Sequence, residues 1–299
     1  MVQSIGFQWR IYLLKALLIV SLLTIVVMTQ VAIAKKLTEA EIWQIERPID
    51  AFDTVFLEQM TWMEVRDAIK TGKTTVIIPT GGVEQKGPYS AIGRHNFSLQ
   101  ITTEMIARKL GNAVVAPVVA FVPQGSIEPK SKHMLYPGTI SVREEIFVEL
   151  LIDIANSMKA HGFKNIVLLG DNGGNRSGLA TAEQRLAKAW QGSNSKIHYI
   201  EEFYDNPRWK KWMKARGIVE VSEGYHDGYR SSSVMMLYDP MTARMPQRLE
   251  KGLFHINGIS LLPVDKTIKF AKEFVNYRTD VTVEAIEQAL ADDQQSAVK

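Results

Sequence analysis

Apolar runs of strand length alternate with helix-length amphipathic stretches at least three times between residues 61 and 201. A chain patterned this way closes into a largely parallel sheet with helices on both faces, because each strand needs a crossover to reach its parallel neighbour. The expected fold class is therefore α/β, a three-layer sandwich with a largely parallel central sheet. Thr61 opens a helix carrying Trp62, Val65 and Ile69 and stopped by Gly72, and the β-branched run 75–78 then ends at Pro79. Residues 81–93 form a glycine-rich loop, after which Asn96 is placed to cap a helix running to Leu110. Residues 113–122 make a second strand, at a sheet edge or bulged because Pro117 interrupts it. A long polar loop spans 124–137, and Ser141 with Glu144 has the spacing of a capping box for a helix whose apolar face is Ile146, Leu150, Leu151, Ile154 and Met158. A third strand at 165–169 leads into residues 170–175 and a helix through Trp190, and 196–201 supplies a further strand. The lead-in 35–56 has no clear period and is expected to be extended, and 282–297 is expected to be a fraying polar helix.

Residues 1–34 differ from the rest. Arg10 and Lys15 precede the apolar run 16–28, and Ala32-Ile33-Ala34 has the small-x-small pattern of a signal-peptidase site. The segment is expected to be a cleaved signal peptide, with an uncleaved anchor over 16–34 as the alternative, leaving 35–299 as a single domain. Export to the periplasm or the extracellular space follows, with membrane contact only through the N-terminal segment. Removing Arg10 and Lys15 lowers the formal charge from +3 to +1, so the basic balance belongs partly to the leader. The remaining charges are well mixed and argue against a nucleic-acid surface. The cationic stretch 208–214, interleaved with Trp209 and Trp212, is expected to be a solvated amphipathic helix. The absence of cysteine excludes disulfides, thiolate metal sites, a cysteine nucleophile and a lipoprotein anchor.

Chemistry concentrates in two loops that follow strands. Residues 84–96 gather Glu84, Lys86 and His95 between glycines that let backbone approach a ligand closely, and the alternative is a turn-rich connector with solvated charges. Residues 170–175 hold Asp171, Asn172, Gly173 and Gly174 with no apolar side chain, as a ligand-binding loop or as a tight turn capped by Asn175. His133 precedes Pro137-Gly138-Thr139, and His226 precedes Gly228 and Tyr229. Both histidines sit near glycine turns, where imidazole serves acid–base or binding roles as readily as structural ones.

Taken in order, Glu84-Gln85, Gly87-Pro88, Gly93, His133, Pro137-Gly138-Thr139, Gly173-Gly174-Asn175, His226, Gly228 and Ser233 resemble the motifs of the creatininase family of metal-dependent amide hydrolases, over residues 61–237. The resemblance implies the creatininase fold, hydrolysis of a non-peptide carbon–nitrogen bond in a small amide or carboxylate, a divalent metal and a homo-oligomer. Four positions depart from the family pattern. Lys86 stands for a ligand histidine, His95 for the bridging aspartate, Asn172 for the third-motif histidine and Tyr229 for a later glutamate. A neutral imidazole binds through one nitrogen, so His95 does not reproduce a carboxylate bridge, and an ammonium at Lys86 repels a cation. The resemblance then implies at most one zinc or manganese on Glu84, His95 and Asp171, with His226 acting in its place as an alternative third ligand. A two-metal site is not expected. In the catalytic reading His226 is the general acid or base and Lys86 stabilises an oxyanion or binds a substrate carboxylate. Substrate contacts fall to His133, Asn172, Gly173, Gly174 and Tyr229. The competing reading is a small-molecule-binding protein that keeps the fold without the chemistry. N-terminal sequencing of the exported protein is expected to begin at Lys35; a first residue inside 1–34 would contradict cleavage after Ala34.

Overall fold

The computed structural model describes residues 36–298, and the leader expected at 1–34 lies outside the described residues. Two units separate at residues 49 and 50. In the first, residues 39–44 are helix α1 (Glu39–Gln44) rather than extended chain. Thr38 and Glu41 form a capping box that supplies what the missing periodicity did not. The larger unit holds a parallel sheet of β1 (Thr75–Thr80), β2 (Ala113–Val115), β3 (Asn165–Gly170) and β4 (Lys196–Tyr199), in the order β2-β1-β3-β4. Helices α2 (Trp62–Lys70), α3 (Arg94–Leu110), α4 (Glu144–Ala160) and α5 (Arg176–Ala189) connect or flank these strands. They are followed by α6 (Asn206–Lys214), α7 (Tyr229–Tyr238), α8 (Met245–Glu250), the hairpin β5–β6 (His255–Ile256, Ile259–Ser260) and α9 (Val264–Val298).

Side-chain alternation along the strands assigns the layers. Val76, Ile78, Ile166 and Leu168 pack on Phe147 and Leu151 of α4 and Leu179 and Leu186 of α5. Ile77, Val167 and Leu169 point the other way, onto Leu99 and Ile106 of α3 and Val283 and Ile286 of α9. The helix following β1 therefore covers one face, and the helix following the adjacent β3 covers the opposite face. Where crossovers of neighbouring strands diverge like this, the sheet opens a crevice at the strands' carboxyl ends. Thr80 pairs with Gly170 at that point, and residues 81 and 171 begin the two diverging loops.

Several local expectations are corrected. Gly93, not Asn96, is the N-cap of α3, because Asn96 Oδ1 instead accepts the Gly82 amide at 3.1 Å and ties the loop to the helix. The capping box at Ser141 does not form: Arg143 precedes α4, while Ser141 Oγ accepts from the Gln124 amide and donates to Gly125 carbonyl. On α4 the buried residues are Phe147, Val148, Leu151 and Ala155, and Ile146 and Leu150 are exposed. β2 stops at Val115, two residues before Pro117, at the sheet edge where that proline is tolerated. Trp209 is buried against Phe274, so α6 is not simply a solvated helix. The terminal helix starts at Val264, and Thr282, Val283 and Ile286 are buried in it rather than frayed.

Among the described residues no helix is long and apolar enough to cross a membrane. Leu151 is fully buried between α4 and the sheet. Leu151→Ala is expected to cost about 2–5 kcal/mol in denaturant unfolding; a loss near zero would contradict this packing.

Candidate active site

The two carboxylates of the crevice arrive from different strands. Glu84 lies in the loop after β1 and Asp171 directly after β3, and both are about 1% exposed. His95, in the first turn of α3, bridges them: its Nε2 lies 2.8 Å from Glu84 Oε1 and its Nδ1 2.9 Å from Asp171 Oδ2. Arg94 Nη2 is 2.9 Å from both ring nitrogens, which sets the guanidinium against the imidazole face rather than in line with either lone pair. Burial and the Arg94 guanidinium push the His95 imidazole below its ordinary pKa, against the pull of the two carboxylates.

Each carboxylate has further donors. Lys86 Nζ contacts Glu84 Oε1 directly. Asn172 Nδ2 donates to Glu84 Oε2 at 3.0 Å, and His133 Nε2 lies 3.4 Å from the same oxygen. Burial would raise the Glu84 pKa, but His95 and Lys86 outweigh it and hold the carboxyl well below the usual range. Asp171 behaves likewise, with Arg278 the largest opposing influence on its burial. The guanidinium of Arg278 donates to Asp171 Oδ1, to the Phe203 carbonyl at 2.9 Å and to Ser98 Oγ at 3.4 Å. Lys86 is pushed down to about 7, by burial first and by Arg94 second, while Glu84 pulls the other way.

The open side of this cluster is formed by histidines. His226 Nε2 lies 3.3 Å from Lys86 Nζ, and its ring stacks on that of His133 with centroids 4.3 Å apart. Partial desolvation of the ring and the nearby Lys86 bring His226 down to about 4 although the residue is exposed, and burial also lowers the half-buried His133. His226 takes a left-handed backbone at φ 59°, uncommon for a residue with a Cβ. The following hairpin holds its loop: Asn257 Oδ1 accepts the Glu223 amide at 2.9 Å, and Asn257 Nδ2 donates to Asp227 carbonyl at 3.2 Å. His133 and Asn172 also line a cleft of about 760 Å³ beside the cluster, with Gln124, Lys132 and Gly174.

The structure thus gathers Glu84, Lys86, His95, His133, Asp171, Asn172 and His226. Gly174 reaches the cleft wall, but its amide is spent on Asn172 Oδ1 at 2.9 Å, and Gly173 packs near the Tyr204 ring. Tyr229 is not brought to the group. Its hydroxyl lies 3.3 Å from Thr267 Oγ1 on α9 and its ring packs on Phe270, so a substrate contact is replaced by a core contact. The ligand geometry also shifts. Among the described residues, the side chains whose donor atoms lie within 4.8 Å of one another are Glu84, His133 and His226, whereas both nitrogens of His95 face carboxylates and Asp171 is held by Arg278. Arg94 and Arg278 were not singled out in the sequence. Arg94 adjoins His95 and could have been included, but Arg278 lies 107 residues from Asp171 in a polar stretch that carries no local signal.

Comparison with known proteins identifies the family. The family model described as creatininase, creatinine amidohydrolase, matches residues 58–276. The chain belongs to the creatininase family of amidohydrolases. It is 21% identical over 252 residues to creatinine amidohydrolase of Pseudomonas putida, covering 80% of this chain and 95% of that protein. It is 28% identical over 120 residues to 3-dehydro-scyllo-inosose hydrolase of Thermotoga maritima, a match spanning 40% of this chain and only 36% of that protein. A crystal structure of creatinine amidohydrolase superposes with a TM-score of 0.54 at 19% identity, over 81% of this chain and 98% of that one. Solved creatininases similar in fold include a manganese form and a mutant zinc form, with TM-scores of 0.53 and 0.52. Arg278 lies just beyond the matched segment.

Arg278→Met leaves Asp171 buried without its strongest partner. It is expected to cost about 3–5 kcal/mol in chemical unfolding, and adding Asp171→Asn is expected to recover part of that loss. Equal stability of the wild type and Arg278→Met would contradict the pairing.

Proposed function

We propose that the chain hydrolyses a non-peptide carbon–nitrogen bond of a small amide in the crevice between the β1 and β3 loops. The observation that carries the reading is the convergence of Lys86, His133 and His226 on the buried Glu84 within a creatininase-family fold. Lys86 Nζ in its protonated form provides positive charge where the oxygen of an attacked carbonyl would become negative. His226, with a pKa near 4, is neutral at pH 7 and has a ring nitrogen able to take a proton from water and return it to the leaving nitrogen. His133 stacks against that ring and limits its rotation. Asn172 and His95 fix the Glu84 carboxylate, which keeps Lys86 in place. Export through residues 1–34 and assembly of identical chains belong to the same proposal, supported by the leader pattern and by the family resemblance.

The relatives that carry manganese or zinc raise the question of a metal. The residues do not fit two ions, since His95 has both nitrogens on carboxylates and Asp171 is paired with Arg278. A second reading, one zinc or manganese on Glu84, His133 and His226, is favoured by the closeness of those three donors and would supply Lewis acidity. The three fit in number but not in charge, because Lys86 already contacts Glu84 and His226.

A screen of small amides and lactams tests the hydrolase reading. On the best substrate found, Lys86→Met is expected to lower kcat roughly 10²- to 10³-fold, as loss of an oxyanion donor does. His226→Ala is expected to lower it as well. Unchanged turnover in both would rule out this site, and binding without turnover across the screen would favour a binding protein.

A further inference from the structure

We infer that Lys86 takes the place of a metal ion: its ammonium, fixed between Glu84 and His226, is the resident cation of the site, and the native chain binds no divalent metal there. The inference rests on reading this crevice as the functional site. Three observations carry it. Lys86 Nζ contacts Glu84 Oε1 and lies 3.3 Å from His226 Nε2, so an ion held by Glu84, His133 and His226 would have to share that space with it. Lys86 is buried, so its nitrogen is enclosed by the site rather than swinging in solvent. The buried charges are also already met. Two carboxylates, Glu84 and Asp171, face three cationic side chains, Lys86, Arg94 and Arg278, with His95 between the carboxylates. A divalent ion would add positive charge where none is lacking, whereas a metal centre needs an excess of anionic or neutral donors. Arg278 joins this balance from α9, 107 residues from Asp171 in sequence.

The test is equilibrium dialysis of the purified full chain against zinc chloride and against manganese chloride at pH 6, where Lys86 is protonated, followed by elemental analysis and thermal unfolding. The wild type and Lys86→Arg are expected to retain no stoichiometric metal and to show no metal-dependent rise in Tm. Lys86→Met and Lys86→Gln remove the ammonium while leaving Glu84, His133 and His226, and at least one is expected to bind about one zinc per chain. That zinc should be lost on adding Glu84→Gln. A wild-type chain that holds one equivalent of metal released by Glu84→Gln would overturn the inference. So would folded Lys86→Met and Lys86→Gln that bind none, or variants that do not fold while the wild type binds metal. None of these readouts requires turnover, so a failed amide screen would remove the hydrolase reading and leave this result standing.

Discussion

The imidazole of His95 holds two loops together that would otherwise separate. Glu84 follows β1 and Asp171 follows β3, and the helices after those strands leave toward opposite faces of the sheet. Two buried carboxylates at the mouth of such a crevice would repel each other and lack water, which is costly unless each is bonded and neutralised. His95 sets one ring nitrogen against each, at 2.8 and 2.9 Å, its single N–H donating to one of them, and the neutralisation comes from Lys86 on one side and Arg278 on the other. The geometry of His133, Asn172 and His226 follows from this, since all three are placed by the Glu84 carboxylate or by Lys86 bonded to it.

This arrangement also explains how a family member can depart at its ligand positions and keep a built site. A lysine replacing a metal ligand would be destructive if its charge faced an ion. Here it faces a carboxylate, and Asn172 donates to the other oxygen of the same group. His95 does not bridge as a carboxylate would. It lies between the two acids with one ring nitrogen against each, and a side chain without negative charge in place of a carboxylate turns the electrostatics of the crevice from anionic toward balanced. Buried pairs of this kind are specific rather than strongly stabilising, because desolvation offsets much of their attraction.

Much of this was legible in the sequence, and the limits are physical. The unbroken apolar runs at 75–78 and 165–169, followed by glycine-rich loops, were enough to locate the crevice, since burial on both faces needs such strands. Lys86, His95 and Asn172 were visible because they stand inside short motifs. Arg278 was not, because a cation in a helix is solvated far more often than it is buried, and only tertiary packing turns it toward Asp171. The Ser141 box failed for a related reason: the hydroxyl found a better use on the Gln124 and Gly125 backbone, closing the loop that carries His133. Tyr229 stands where the family pattern has a glutamate, but its aromatic ring gains more from the apolar cluster around Phe270 than from a polar cleft.

A high-resolution crystal structure of the wild-type chain grown with zinc, recorded at the zinc absorption edge, would show which cation the crevice holds. The expected density shows Lys86 Nζ between Glu84 and His226, with no anomalous peak in the crevice. An anomalous peak bonded to Glu84, His133 and His226, with Lys86 turned away, would contradict it.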